Sequence, residues 1–277
     1  MERPRLEDPE DPRFDDYRDL RRPRGAGRRR EGDLDHVVIE GHLALDRAAR
    51  GPLRLRSVLV TPAREASLHA QLADLPRGVE VHVAERDVLA AVTGFDAHRG
   101  VLASADRPPP ADPAHLLAAH RRVVVLEGLT DLENVGAVFR VAAALGLGAV
   151  LLDDRGADPL YRRCVRVSLG WSTVIPHARL GPLPEGLGLL RASGHRTVAL
   201  TPAAGSMPVD EAAASGALDD PVALLVGAEG PGLTEAALAA AGHRVSVPMA
   251  PGVDSLNAAT ALAVVASFAA ARRGWAT

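Results

Sequence analysis

A chain of 277 residues, 47% hydrophobic and 24% charged, has room for two ordinary domains and lies well away from the composition of a disordered protein. Its net charge of -3 excludes a polycation that coats nucleic acid indiscriminately, although all 32 basic residues are Arg, the side chain suited to bidentate phosphate recognition. The single cysteine, Cys164, excludes a disulfide framework and a Cys-rich zinc site.

The opening M-E-R-P-R-L-E-D-P-E-D-P has no apolar h-region, and one Cys fits a reducing compartment, so a cytoplasmic location is expected. Residues 1–34 are charge-dense and end in R-R-P-R-G-A-G-R-R-R-E-G-D. They read as a mobile Arg-rich tail, whose Arg21, Arg22, Arg24, Arg28, Arg29 and Arg30 either track RNA phosphates or are simply solvated. From His36 the pattern becomes regular. V-V-I-E-G leads into a helix-like H-L-A-L-D-R-A-A-R, then L-R-L-R-S-V-L-V-T-P makes a strand. A helix over Ala63–Leu75, a strand over Val79–Val83, a helix over Glu85–Val92 and the stretch G-F-D-A-H-R-G-V-L-A complete a small α/β domain, residues 35–105. R-P-P-P-A-D-P (Arg107–Pro113) marks residues 106–120 as a stiff linker.

The second domain, residues 121–277, begins with the buried-strand run Val123–Glu127. The turn G-L-T-D-L-E-N-V-G follows, then the helix A-V-F-R-V-A-A-A-L-G and a strand over Ala149–Asp153. Cys164, in R-R-C-V-R, sits in a cationic setting that lowers a thiol pKa if exposed, but it reads as a half-buried helical residue. Later strands are Thr197–Leu200, Val222–Val226 and Arg244–Val247, with helices between, and this alternation predicts a parallel α/β sheet. The last helix, Ala258–Arg272, is Ala-rich and follows a loop, so it reads as a buried or dimer-forming helix and not as a membrane span.

Three polar clusters in this domain are not needed for folding. They are N-V-G-A-V-F-R with Asn134, Gly136 and Arg140; G-A-E-G-P-G-L with Gly227, Glu229, Gly230 and Gly232; and V-P-M-A-P-G-V-D-S-L-N with Pro248, Met249, Ser255, Leu256 and Asn257. The second has no G-K-[ST] and is not a Walker loop, and no G-x-G-x-x-G opens a helix after a strand. Neither G-x-S-x-G nor H-E-x-x-H occurs, and the ten His show no ligand spacing, so no metal site is expected. Glycines alone would be turn-makers. Asn134, Arg140, Glu229 and Asn257, however, need partners if buried at strand ends.

Taken together, the clusters resemble the three motifs of the SpoU (TrmH-type) branch of the SPOUT methyltransferases, over residues ~121–272. The resemblance implies an α/β domain with a parallel sheet whose C-terminal chain is threaded as a deep trefoil knot, a topology general folding rules disfavour. It implies a homodimer that binds S-adenosyl-L-methionine in the knot and methylates a ribose 2′-OH in RNA. Carried over by motif, Arg140 is the candidate proton acceptor or phosphate grip, Asn134 orients it or the ribose, and Glu229 shapes the site. Ser255 and Asn257 hold polar substrate or cofactor atoms at the start of the last helix. Leu200, Thr201, Gly227, Val247, Met249 and Leu256 are the candidate cofactor contacts. Ala228 stands where the family usually has Ser or Asn, and Gly252 follows Pro251 where the glycine is expected earlier. His36–Ala103 resembles the ribosomal-protein-like α/β RNA-binding domain that many rRNA-modifying members carry, with Arg99 in place of the usual Gln. On that ground 23S rRNA is the expected substrate. The alternatives are a tRNA 2′-O-methyltransferase and a non-catalytic RNA-binding or ribosome-assembly factor.

Overall fold

In the computed structural model, which describes residues 3–20 and 35–271, the chain divides into two units. One is Met1–Pro109 with Asp158–Val174, the other Pro110–Ala157 with Ile175–Thr277. The first contains β1 (His36–Glu40), α1 (His42–Arg50), β2 (Leu55–Val60), α2 (Pro62–Ser67), α3 (His69–Ala73), β3 (Glu80–Val83), α4 (Arg86–Thr93) and β4 (Val101–Asp106). Its sheet runs β1-β4-β2-β3, with β4 antiparallel to both neighbours and β2 parallel to β3. Alternation along the strands supplies two cores. Val37, Ile39, Val58, Val60, Val101 and Ala103 enter one buried cluster, while Val38, Leu59 and Leu102 enter another. The helix expected over Ala63–Leu75 is two short ones, because Leu68 leaves helical geometry at φ -113° and ψ 20°.

Residues 3–20 differ from the expected mobile tail. Leu6, Phe14 and Tyr17 are buried in the second cluster. The Leu6 N–H donates to the Val83 carbonyl at 2.8 Å, and the Tyr17 hydroxyl donates to the Ser57 carbonyl at 3.0 Å. Three apolar side chains among the charges are enough to anchor the segment, at about 1.5–3 kcal/mol for each fully buried large one. The arginine run at 21–30 lies outside the described residues.

The second unit begins before residue 121. The latter half of the expected 106–120 linker is α5 (Pro113–Ala119), whose N-cap Asp112 accepts from the Ala114 N–H at 2.9 Å and whose Leu116 and Leu117 are buried. Next come β5 (Arg122–Glu127), α6 (Leu132–Leu145) and β6 (Ala149–Leu152). Helix α6 starts five residues earlier than the apolar pattern suggests, because Asp131 accepts from the Glu133 and Asn134 N–H groups at 2.8 and 2.9 Å. It stops at Gly146, a left-handed C-cap with φ 70°.

After β6 the chain leaves this unit. Asp158–Val174, containing α7 (Arg162–Val167), belongs to the first unit and interrupts the domain expected over 121–277. Leu160 and Val165 enter the first unit's core, and Arg162 Nη1 donates to Glu40 Oε2 at 2.5 Å. An apolar pattern marks a residue for burial but does not say in which core. Cys164 is fully buried on α7, and burial pushes its thiol up to about 12, so the neighbouring arginines do not activate it.

The remaining elements are β7 (His177–Arg179), α8 (Leu187–Ala192), β8 (Arg196–Leu200), β9 (Met207–Pro208), α9 (Val209–Ser215), β10 (Val222–Gly227), α10 (Glu235–Ala240), β11 (His243–Ser246) and α11 (Ala258–Ala271). The sheet order is β7-β6-β5-β10-β8-β11-β9, and every pairing is parallel. Chain order therefore reverses at β5, which has β6 on one side and β10 on the other. In open parallel sheets such a reversal leaves a crevice outside the strands' carboxyl ends.

Candidate active site

The reversal places two loops side by side: Gly128–Asp131, between β5 and α6, and Gly227–Thr234, between β10 and α10. Asp131 fixes the first turn of α6, and that turn presents Asn134, which is 8% exposed. The second loop folds back on its own strand. Gly232 N–H donates to the Ala228 carbonyl at 2.9 Å, and Gly230 and Gly232 take φ values of 82° and 70°. Gly227 lies so close to the Gly232–Leu233 peptide that any side chain there would strike it. The fold-back carries Glu229 toward Asn134.

Asn134, Glu229 and Asn257 form one hydrogen-bonded group. Asn134 Nδ2 donates to Glu229 Oε1 at 2.5 Å, and Asn257 Nδ2 donates to Asn134 Oδ1 at 2.7 Å and to Glu229 Oε1 at 3.2 Å. Asn257 Oδ1 meanwhile accepts from the Ala259 and Thr260 N–H groups at 3.0 and 3.3 Å, which caps α11. One side chain thus starts a helix and closes the network. Glu229 Oε2 takes no hydrogen bond among the described residues.

Arg140 and Ser255 do not join the group. Both are exposed, and neither side chain makes a hydrogen bond or ion pair among the described residues. Six residues along α6 put Arg140 roughly 9 Å from Asn134 and about 120° round the helix. Leu200 ends β8, Gly227 ends β10 and Val247 follows β11, so these three share the sheet's carboxyl edge. The Thr201 N–H donates to the Val245 carbonyl at 3.0 Å and ties two of those ends together. Met249 is half-buried, while Leu256 is 38% and the nearby Val253 49% exposed. Among the described residues no group of three His, Cys, Asp or Glu stands where it would hold a metal ion. No helix there is long and apolar enough to cross a membrane.

A model of the SpoU rRNA methylase family matches residues 121–267, more than half of the chain. The chain belongs to the SpoU rRNA methylase family. RNA methylation is therefore its class of reaction. A Mycobacterium tuberculosis protein named as an uncharacterized tRNA/rRNA methyltransferase is 44% identical over 265 residues, 93% of this chain and 88% of that one. The Bacillus subtilis 23S rRNA (guanosine(2553)-2'-O)-methyltransferase RlmP is 28% identical over 228 residues, 82% of this chain and 86% of its own. An AdoMet-bound rRNA methyltransferase from Sinorhizobium meliloti shares the fold at a TM-score of 0.74 and 24% identity, with 99% of this chain and 98% of that one covered.

Two residues beside the site, Glu127 and Thr234, lie outside the three motifs and hydrogen-bond to each other. Their signal in the sequence was an acid ending the apolar run V-V-V-L-E, since a carboxylate buried at a strand end requires donors.

Proposed function

We propose that the chain is an S-adenosylmethionine-dependent methyltransferase that modifies a ribose 2′-OH in 23S rRNA. The observation that carries this is the Asn134–Glu229–Asn257 network at the carboxyl edge, where strand order reverses. The Bacillus subtilis relative supports the 2′-O position and the rRNA target, and the Sinorhizobium meliloti structure supports the cofactor. The residues present fit that cofactor. Gly227 leaves a fold-back lined by backbone, and the apolar Leu200, Val247, Met249, Val253 and Leu256 stand exposed or half-buried in the surrounding segments. An apolar slot with main-chain polar groups is ordinary design for an adenine ring. Leu200, Thr201, Gly227, Val247, Met249 and Leu256 would hold it, and when bound it supplies an electrophilic methyl group.

The chain's own side chains serve the ribose. A 2′-OH is a weak nucleophile, and its proton must leave as it attacks. Glu229 Oε2, with Oε1 fixed by two amides, is left to orient the hydroxyl. Arg140, exposed and unpaired among the described residues, is left to grip phosphate or steady the developing oxyanion, and Ser255 to bind a polar atom of substrate. The same reading makes the first unit an RNA-binding module and threads the C-terminal chain as a trefoil knot. It pairs two chains through the outward faces of α6 and α11, where Ala137, Val141, Val264 and Phe268 stand half-buried or exposed, and it places the protein in the cytoplasm. Isothermal titration with S-adenosylmethionine tests the cofactor assignment. Saturable binding, weakened by Gly227→Ala, is expected; no binding would favour a non-catalytic RNA-binding factor.

A further inference from the structure

Glu127 ends the central strand β5 and is 2% exposed. Its donors come from one residue of the glycine-rich loop. The Thr234 N–H donates to Oε2 and the Thr234 hydroxyl to Oε1, both at 2.8 Å. Arg155 Nη2 stands 3.9 Å from Oε1, with its Nε held by Asp153 Oδ2 at 3.1 Å. The Thr234 oxygen in turn accepts from the Ala237 N–H at 3.2 Å and caps α10. Across the β5–β10 ladder, Glu127 is also the register partner of Gly227. One residue therefore faces the first position of the Gly227–Thr234 loop and binds its last.

Between these ends the loop is tied by the Gly232 N–H to Ala228 carbonyl bond, by the amide bonds to Glu229 and by the buried Leu233. Its residues are G-A-E-G-P-G-L, of which Leu233 is the one large apolar side chain, and two glycines take positive φ. Glycine-rich backbone loses much conformational entropy on ordering, so these internal ties set the loop's shape while the anchors at either end set its height over the sheet. We propose that Glu127 is a positioning residue. By pinning Thr234 it sets the loop against the sheet, and so fixes Glu229 and the cofactor edge at Gly227. The functional consequence rests on the methyltransferase reading; the pin itself does not.

The test uses the full chain with Glu127→Ala, Glu127→Gln and Thr234→Val. It reads amide exchange over residues 227–237, S-adenosylmethionine affinity, and methyl transfer to RNA. Glu127→Ala is expected to speed exchange in that segment alone and to raise KM for the cofactor by about tenfold or more. Gln can accept from the Thr234 N–H and donate to its hydroxyl oxygen, so Glu127→Gln should return to within about threefold of wild type. Thr234→Val keeps the N–H bond and should fall between; combined with Glu127→Ala it should add less than its separate effect. Gln behaving as badly as Ala would overturn the inference, because charge and not hydrogen bonding would then matter. A lowered melting temperature with unchanged loop exchange and KM would overturn it too. If Glu127→Ala does not fold, a Thr234→Val protein indistinguishable from wild type decides against the pin. Wild type that binds no cofactor would sink the methyltransferase reading and with it the functional consequence, leaving the pin to be decided by amide exchange, whereas active wild type with unaffected variants sinks the inference alone.

Discussion

Asn257→Asp separates the two tasks of Asn257. The aspartate keeps an oxygen for the Ala259 and Thr260 N–H groups, and Asp caps helices about as well as Asn. On its other side an acceptor replaces the amide donor, facing Asn134 Oδ1 where 2.7 Å stood and Glu229 Oε1 where 3.2 Å stood. Losing a hydrogen bond to a charged group costs about 1.5–3 kcal/mol. The added repulsion is partly screened, since Glu229 is exposed to water. A total of about 2–3 kcal/mol, if the network acts in the transition state, slows transfer by roughly 30–150-fold. The lost bonds weaken the folded state too, but the cap survives, so melting should fall by less than in Asn257→Ala. Asn257→Ala removes cap and network together and costs about 1 kcal/mol of stability in addition. The assay is labelled methyl transfer from S-adenosylmethionine to RNA, run beside thermal melts. Transfer by Asn257→Asp within threefold of wild type would refute the network's role. A melting temperature falling as far as that of Asn257→Ala would refute the division of labour.

Arg140→Ala removes an exposed side chain without partners among the described residues, so its melting temperature should hold within about 1 °C, as surface substitutions do. Transfer should fall by about 100-fold or more with cofactor affinity changed only a few-fold, which parallel titration and rate measurements check. Arg162→Met leaves the Glu40 carboxylate, 1% exposed, with Arg166 at 3.6 Å as its remaining ion-pair partner; denaturant unfolding should show a loss of about 3 kcal/mol, largely recovered by adding Glu40→Gln. Cys164, whose thiol burial pushes up to about 12, should be alkylated by iodoacetamide at pH 8 about 100-fold more slowly in the native than in the denatured protein. Its raised pKa contributes stability that is fully present below the unfolded thiol's value and is lost as pH rises toward about 12, so alkaline denaturation should be eased by an intact thiol and not by Cys164→Ala.

The parallel sheet was legible because runs such as Val123–Glu127 and Val222–Val226 are too continuously apolar for anything but strands covered on both faces. Asn134, Glu229 and Asn257 stood out in the sequence as polar residues expected at strand ends; in the fold only Glu229 follows a strand while the two asparagines start helices, and their mutual bonds depend on a strand order that no local pattern encodes. The limits of the first unit were not legible. Leu6, Phe14 and Tyr17 are three apolar residues in a charged stretch, and local composition outweighs them when long-range packing is unseen. The departure of Asp158–Val174 was hidden for a related reason: Leu160 and Val165 demand burial, but chain order suggested the wrong core for them. Glu127 could be read as anomalous, yet Thr234, more than a hundred positions away, could not be read as its donor.

On the proposed function, a ribose of RNA is methylated at the carboxyl edge of the second sheet. The most direct test is transfer of labelled methyl from S-adenosylmethionine to undermethylated 23S rRNA and, in parallel, to bulk tRNA, followed by alkaline hydrolysis. Label on the rRNA in an alkali-resistant dinucleotide, abolished by Arg140→Ala, is the predicted result. Label released as a mononucleotide, or none on either RNA from protein that binds S-adenosylmethionine, would contradict it.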